Sequence, residues 1–219
     1  MKKILYIHGL KRGDSNAESR TATTLRNALD SHTYSVVAPT FSSNGKEALT
    51  LVRRIICDEQ IDIVVGSSLG GFVALCLRGV PKIVINPCVR ADVELAKLGR
   101  SDIASSYTNL IDNLWAGINQ EEQERTIGVF SDNDELFSYR EEFLRHYPQV
   151  VDIEDGHRIS QQNIYSAVKP MIEKFASNYS KLRYGNHKFI DISKIDPAET
   201  LAKFKSKFPI TWQKLGELD

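Results

Sequence analysis

The feature that most constrains the fold of this chain is a strand-like run followed at once by a glycine-rich turn and an apolar helix. The run Ile61–Val65 is rich in Val and Ile, as in a strand buried on both faces of a parallel sheet. Residues 66–70 then read G-x-S-x-G around Ser68, and the apolar residues 72–76 suit a short buried helix. This order of elements predicts a βαβ sheet with Ser68 at its carboxyl edge.

The spacing of the motif has a chemical reason. The turn is so tight that the positions two before and two after the serine tolerate almost no side chain, a demand that Gly66 and Gly70 meet. Such a turn exposes the serine hydroxyl, and the positive end of the next helix favours a developing oxyanion. A plain glycine-rich turn is the alternative, because Gly and Ser are common. A phosphate-binding turn is disfavoured, since neither G-x-x-x-x-G-K-[ST] nor G-x-G-x-x-G occurs here.

Other strand-like runs alternate with helical patterns along the chain. This alternation predicts parallel βαβ units with right-handed crossovers, and thus a doubly wound, mostly parallel α/β sheet of six strands. Pro170 should kink or divide the last helix. The strands are expected over Lys3–Ile7, Ser35–Pro39, the run before Ser68, Lys82–Ile85, Thr126–Phe130 and Val150–Ile153, and the main helices over Thr21–Leu29, Gly45–Glu59 and Gln162–Tyr179.

The chain is expected to divide into a sheet domain, residues 1–177, and an appendage, residues 178–219. Within the first, the interval 87–125 is longer than one crossover helix needs, which predicts a small cap over the strand ends. The appendage combines a predicted hairpin with a helix that starts at Asp196-Pro197, and it is mildly basic. Such a charge excess is most often a solvated face; partner binding is the alternative.

Composition argues against several classes of protein. The formal net charge of the 219 residues is zero, so nothing suggests nucleic acid or an anionic membrane as a partner. No apolar run approaches transmembrane length, and the one after Met1 stops at His8, too early for a signal peptide. The three cysteines are odd in number and lie in apolar surroundings, which predicts reduced thiols and a cytoplasmic location. The oligomeric state is left open.

A serine nucleophile needs a base, and the base needs an orienting carboxylate. In a hydrolase of this architecture the chain order is Ser, then Asp or Glu, then His. His157 directly follows the sixth predicted strand, at the edge where Ser68 emerges, and is therefore the predicted base. After the fifth strand, Asp134 is the favoured acid; Asp132 is the alternative, with a turn role as its other interpretation.

Two backbone amides should form an oxyanion hole beside this serine. One belongs to Leu69, the residue after the nucleophile, and the other to Leu10, in the loop after the first strand. His8 and Arg90 are candidates for contacts with substrate. A polar strand end satisfied by its own loop is the other interpretation of His8, and a salt bridge to Asp92 or Glu94 is that of Arg90.

Together these residues resemble the α/β-hydrolase superfamily, and more narrowly the small bacterial YqiA/YcfP-like esterases. The resemblance covers about residues 1–177 and implies a minimal hydrolase fold without the first two strands, with esterase activity on short acyl esters or thioesters. Two positions depart from the family pattern: Asp132-Asn133 replaces a glycine-led turn, and no Asn directly precedes His157. The motifs are Leu5–Leu10, Gly66–Gly71, Asn86–Arg90, Asp134–Tyr139 and Gly156-His157.

The sequence therefore predicts a serine hydrolase acting on a small-molecule acyl ester or thioester through Ser68, His157 and Asp134. This chemistry requires no metal and no organic cofactor. The rival hypothesis is a hydrolase-fold interaction protein, in which the triad is vestigial and the basic tail carries the function.

Overall fold

A computed structural model describes residues 1–10 and 19–178, whose strands form one six-stranded sheet. The strand order is β2-β1-β3-β4-β5-β6, and every neighbouring pair is parallel. The predicted fold class is thus confirmed. The strands are β1 (Lys2–Ile7), β2 (Tyr34–Val37), β3 (Ile63–Ser67), β4 (Lys82–Ile85), β5 (Thr126–Ser131) and β6 (Val150–Ile153).

Helices cover both faces of the sheet, as parallel strands require. On one face α1 and α9 pack against β1 and β3 through Leu25 and Ile172, while α2, α3, α4 and α5 share the core on the other face. The helices are α1 (Arg20–Ala28), α2 (Gly45–Glu59), α3 (Leu69–Leu75), α4 (Ala91–Lys97), α5 (Ser101–Ile111), α6 (Gln120–Glu124), α7 (Arg140–Leu144), α8 (Gln161–Asn163) and α9 (Lys169–Ser177), with a π-helical turn over Ile164–Val168.

Alternating residues of each strand separate the two cores. In β1, Leu5 and Ile7 face the α2 and α3 side, whereas Ile4 and Tyr6 face α1. All four are at most 2% exposed. This period of two explains why the strands read as nearly continuous apolar runs: both faces are buried.

The order of the strands places a crevice at the carboxyl edge. The chain moves outward from β1 to β2, then returns past β1 and continues in the opposite direction from β3 to β6. Loops at such a switch point diverge and leave room for a ligand. The register sets Ile7 beside Gly66, Ser67 beside Ile85, and Ser131 beside Ile153, so the loops after these five strands leave the same edge of the sheet.

The last helix is divided near Pro170, as the sequence predicts. A π-helical turn over Ile164–Val168 separates α8 from α9, and Pro170 lies in the first turn of α9. A proline has no N–H to donate and its ring clashes with the turn before it, so the wider turn accommodates it. The predicted division of this helix therefore has a local cause.

Two predicted features extend beyond these elements. The helices α4 and α5 of the expected cap bury Leu95 and Tyr107 in the same core as α2 and α3; their role as a cap stays a prediction. The predicted hairpin and helix of the appendage lie outside the described residues. No helix in the part of the chain that the structure describes has the length and apolar character needed to cross a membrane.

Candidate active site

Ser68 occupies the sharp turn between β3 and α3. Its backbone has φ 55° and ψ −118°, a left-handed conformation that costs energy for a residue with a side chain. Its N–H donates to the carbonyl of Ile85 at 2.9 Å, and its carbonyl accepts from the N–H of Cys88 at 3.1 Å. The turn after β4 therefore holds the backbone of the serine on both sides.

Two glycines make this turn sterically possible. A Cβ atom on Gly66 would overlap the carbonyl oxygen of Gly70, and one on Gly70 would overlap the carbonyl oxygen of Ile7. The strand, the turn and β1 therefore approach one another at distances that only glycine permits. This steric limit is the reason for glycine at both positions of the motif.

The structure brings Ser68, His157 and Asp134 together. The Ser68 hydroxyl lies 3.0 Å from Nε2 of His157, and Nδ1 of the same ring lies 2.8 Å from Oδ2 of Asp134. With Nδ1 donating to the carboxylate, Nε2 is left as the acceptor for the serine proton. The His157 side chain is 9% exposed and that of Asp134 is 3% exposed, so the ring and its carboxylate are largely shielded from water.

Asp134 is held by its own loop. Its Oδ1 accepts hydrogen bonds from the amides of Leu136, at 2.9 Å, and Phe137, at 3.1 Å. Burial alone would raise the pKa of this carboxyl, but the hydrogen bonds from His157 and from the two amides outweigh it and keep the pKa below its usual range. The group is therefore a carboxylate at neutral pH and a fixed acceptor for the imidazole.

The alternative acid, Asp132, lies elsewhere in the same loop. Its Oδ1 accepts from the amide of Asp155 at 3.2 Å and from the side chain of Asn133 at 2.9 Å. Asp155 in turn accepts from the amides of Gly156 and Ser160, at 3.0 and 2.6 Å. Both carboxylates therefore shape the turns that present Asp134 and His157.

The two amides predicted for the oxyanion hole flank the serine. Leu69 begins α3 directly after Ser68, and the first amides of a helix have no partner within it. On the other side, a Cβ atom at Gly9 would lie 3.0 Å from Cβ of Ser68, so the loop that carries Leu10 runs against the nucleophile. The role of these two amides as donors to an oxyanion stays a prediction.

The two candidates for substrate contacts are engaged with the protein itself. The His8 ring accepts from the amide of Phe41 through Nε2 at 3.2 Å, and its Nδ1 lies 2.7 Å from the carbonyl of Gly9. Arg90 forms a bidentate ion pair with Asp92: its Nε and Nη2 each donate to one carboxylate oxygen at 3.1 Å. These contacts match the structural interpretations of both residues.

Two of the three cysteines, Cys76 and Cys88, are thiols of low nucleophilicity. Burial raises the pKa of the Cys76 thiol to about 12, and burial with the nearby Glu94 and Asp92 carboxylates raises that of Cys88 as well. Within the described residues, no cluster of His, Cys, Asp or Glu is arranged to hold a metal ion.

Comparison with known proteins agrees with this architecture. Residues 3–176 match the family described as "Uncharacterised protein family (UPF0227)", well over half of the chain. The chain belongs to the UPF0227 family. No curated protein matches it.

Solved structures similar to this UPF0227 chain share its fold at low sequence identity. Est1E from Butyrivibrio proteoclasticus is 14% identical, with a TM-score of 0.64 over 80% of this chain and 88% of that one. The esterase domain of a Rhodothermus marinus protein is 15% identical, with a TM-score of 0.59 over 82% and 87% of the two chains. MGS-MChE2, an alpha/beta hydrolase enzyme from a lagoon sediment metagenome of Mar Chica, Morocco, is 15% identical, with a TM-score of 0.52 over 81% and 91%. The chain has the α/β-hydrolase fold, and the predicted resemblance to that superfamily is confirmed.

Sequence reasoning missed several residues around the imidazole of this UPF0227 protein. Glu135 accepts the His157 amide at 2.8 Å, and this hydrogen bond lowers the pKa of the Glu135 carboxyl. Phe137 and the imidazole of His157 pack edge to face, with ring centroids 4.8 Å apart. Asn86 donates to the His157 carbonyl at 3.1 Å. All three residues lie within the motifs Asn86–Arg90 and Asp134–Tyr139, but their contacts with His157 depend on the tertiary structure.

Proposed function

We propose that this protein is a serine hydrolase that cleaves a carboxylic ester or thioester. The observation that supports this most strongly is the hydrogen-bonded series from Ser68 through His157 to Asp134, with distances of 3.0 and 2.8 Å. The three side chains come from the loops after β3, β6 and β5, so the sheet fixes their relative positions. Such a constellation is recognised by geometry and roles, whatever the sequence around it.

In the proposed acylation step, Ser68 attacks the carbonyl carbon of the ester while Nε2 of His157 takes the hydroxyl proton. The amides of Leu10 and Leu69 donate to the oxyanion of the tetrahedral intermediate. Asp134 holds the ring in the required tautomer and stabilises the imidazolium. Collapse of the intermediate breaks the bond to the alcohol or thiol, which leaves with the proton held by His157.

In the deacylation step, water takes the place of the leaving group. His157 removes a proton from this water, which attacks the acyl-Ser68 carbonyl carbon, and the same amides stabilise the second oxyanion. When this intermediate collapses, the carboxylic acid leaves and the serine recovers its proton from His157. The catalytic cycle thus returns to the free enzyme, using only groups of the chain, the substrate and water.

The surroundings of the imidazole favour an apolar acyl chain. Phe137 lies against the His157 ring, and Leu136, the residue before it, is 46% exposed although it is a large apolar side chain. Apolar surface left uncovered beside a reactive group is where a hydrocarbon part of a substrate gains binding free energy. The resemblance to small esterases supports short acyl esters or thioesters as the proposed substrates, and a cytoplasmic location stays a prediction.

Covalent labelling tests this proposal most directly. A fluorophosphonate probe should label the wild-type protein and should fail to label Ser68→Ala, because only an activated serine attacks the phosphorus. Ser67→Ala is the matched control: it removes the neighbouring hydroxyl and should still be labelled. A panel of acyl esters and thioesters, measured on the same three proteins, then gives the substrate class.

The rival hypothesis, an interaction protein with a vestigial triad, predicts the opposite pattern. It expects Ser68 to be replaceable without loss of function and the tail after residue 177 to be indispensable. A wild-type protein that is folded, unlabelled by the probe and inert toward every ester and thioester in the panel would contradict the hydrolase proposal.

A further inference from the structure

Asn86 is a buried polar residue in an unusual backbone conformation directly after β4. It is 3% exposed and has φ 44°, in the left-handed region that Asn tolerates better than most residues. A buried amide is costly unless each of its polar atoms has a partner. The partners of Asn86 therefore indicate what the residue is for.

Each polar atom of the Asn86 side chain is bonded. Its Oδ1 accepts from the N–H of Ser131 at 2.8 Å, and its Nδ2 donates to the hydroxyl of Ser131 at 2.8 Å and to the carbonyl of His157 at 3.1 Å. The orientation of the amide is fixed by these contacts, since the reversed one would set Oδ1 against the His157 carbonyl. One side chain thereby joins the ends of β4 and β5 to the residue that carries the imidazole.

The backbone around Asn86 holds the nucleophile while its side chain holds the base. The carbonyl of Ile85 accepts the Ser68 N–H at 2.9 Å, and the N–H of Cys88 donates to the Ser68 carbonyl at 3.1 Å. Residues 85–88 thus connect Ser68 to His157 through short hydrogen bonds. The distance between Ser68 Oγ and Nε2 is set within this frame.

His157 depends on such support because it lies in a loop. No helix or strand contains it, and its peptide groups are held by Glu135 at the N–H and by Asn86 at the carbonyl. Of these two partners Asn86 is buried and Glu135 is exposed, so Asn86 is the more rigid one. A displacement of about 1 Å in a reacting group costs about 100-fold in rate.

We propose that Asn86 is a positioning residue. Its side-chain amide fixes the position of the His157 ring, and so the distance between Nε2 of His157 and the Ser68 hydroxyl. This rests on the proposed hydrolase function. Asn86 acts through the backbone of His157 from within the protein, and it is not assigned any contact with substrate. Its removal should therefore reduce the reactivity of the serine while leaving substrate binding intact.

Two variants and a matched control distinguish an effect on the position of His157 from a loss of folding stability. Asn86→Gly keeps the left-handed backbone and removes the amide, whereas Asn86→Asp keeps the shape and the acceptor for Ser131 but, as a carboxylate, cannot donate to the His157 carbonyl. Ser131→Ala, the control, removes one partner of Asn86 and leaves the link to His157. Thermal unfolding of each protein shows which of them are folded at the assay temperature.

Among folded variants, the fluorophosphonate labelling rate and kcat should fall about 10- to 100-fold in Asn86→Gly and Asn86→Asp. KM should stay within about twofold, because an interaction that acts on the transition state alone lowers kcat and kcat/KM equally. Ser131→Ala should keep its labelling rate within about threefold of the wild type. Labelling of folded Asn86→Gly or Asn86→Asp at the wild-type rate would overturn the proposal, as would an equal loss in Ser131→Ala.

A measurement that needs no turnover keeps this inference apart from the proposed function. The proton on Nδ1 of His157, bonded to Asp134, should give a downfield proton NMR resonance in the wild type and in Ser131→Ala. In Asn86→Gly and Asn86→Asp this resonance should shift or be lost through faster exchange with water. An unchanged resonance in both would overturn the positioning role, whereas a wild type inert to probe and esters would overturn only the hydrolase proposal.

Discussion

A buried polar side chain lies at each end of strand β4. One is a neutral amide and the other is a member of an ion pair. At the carboxyl end, Asn86 links β5 to His157, and the nearby Ser68 is half-buried. At the amino end, Lys82 is fully buried and makes an ion pair with Glu122, with its ammonium also donating to Thr126 at 3.3 Å. Asn86 lies four positions after Lys82, which corresponds to about 13 Å along an extended chain.

The difference shows how a buried polar cluster at an active site can be told from a structural one. Burial lowers the pKa of the Lys82 ammonium, and the Glu122 carboxylate offsets this only in part. The remaining Glu122 oxygen accepts from the amide of Gly79 at 2.7 Å. Both oxygens of the carboxylate therefore have partners within the protein. The Ser68 cluster instead ends at a hydroxyl beside a basic ring nitrogen, where a substrate carbonyl can be attacked. A shifted pKa alone does not separate the two ends, because the pKa of the Asp134 carboxyl beside His157 is shifted as well.

The largest effect should come from the carboxyl end. Ser68→Ala and His157→Ala should each reduce ester turnover by about 10⁵-fold, and the double variant should lose little more, because the members of such a constellation act as a unit. The free energy of unfolding should change by no more than about 1 kcal/mol for Ser68→Ala, since only one half-buried hydroxyl is lost. Steady-state kinetics and urea unfolding on the same preparations measure both quantities. Additive losses in the double variant would contradict the assigned roles.

The next largest effect concerns the acid. Asp134→Asn should lower kcat by about 10⁴-fold, because the amide favours the wrong tautomer of His157 while the volume stays the same. Asp132→Asn is the matched control in the same loop, and it should retain turnover within about tenfold, since Asp132 serves only in the turn. If the two variants exchanged these effects, the acid would be Asp132.

Sequence patterns located Ser68 and its neighbours because their chemistry is local. The glycines of the turn must surround the serine closely, and the predicted acid and base follow the last two strands directly, where the parallel topology gathers loops at one edge. The choice between Asp134 and Asp132 was harder, since both lie in one loop two residues apart. The geometry separates them because only Asp134 contacts the imidazole.

The polar ends of β4 show what such patterns leave out. Lys82 and Asn86 flank an apolar strand, where a polar residue is ordinarily expected to meet water. Their partners lie far along the chain: Glu122 is 40 residues from Lys82, and Ser131 is 45 residues from Asn86. Burial of this kind depends on tertiary packing, which spacing and periodicity do not encode.

The amino end of β4 should govern stability without governing chemistry. Lys82→Met leaves Glu122 buried and unpaired, and it should lower the free energy of unfolding by about 3–5 kcal/mol. Adding Glu122→Leu to it should restore much of that loss, since an apolar pair of similar volume avoids the desolvation of two charges. Turnover per folded molecule should stay at the wild-type level in both variants. A loss of turnover in folded protein would contradict the division of roles between the two ends.

An exposed ion pair on β1 provides the control for this experiment. Lys3 contacts Glu59 at 3.1 Å, and their side chains are 37% and 52% exposed. Exposed pairs contribute about 0.2–1 kcal/mol, so Lys3→Met should change the free energy of unfolding by no more than that. A similar loss in Lys3→Met and Lys82→Met would show that burial is not the cause of the larger effect.

The smallest effect is expected at Arg90, close to the carboxyl end of β4. Its guanidinium is paired with Asp92, and their side chains are 44% and 26% exposed, so the pair is screened by water and adds little to stability. Because its charge is already matched, Arg90→Ala should change kcat/KM by less than about threefold, and equally for neutral esters and esters with a negatively charged group. Kinetics on one ester pair that differs only in that charge tests this. A selective loss on the anionic ester would show that Arg90 exchanges Asp92 for the substrate, and would extend the active site to the start of α4.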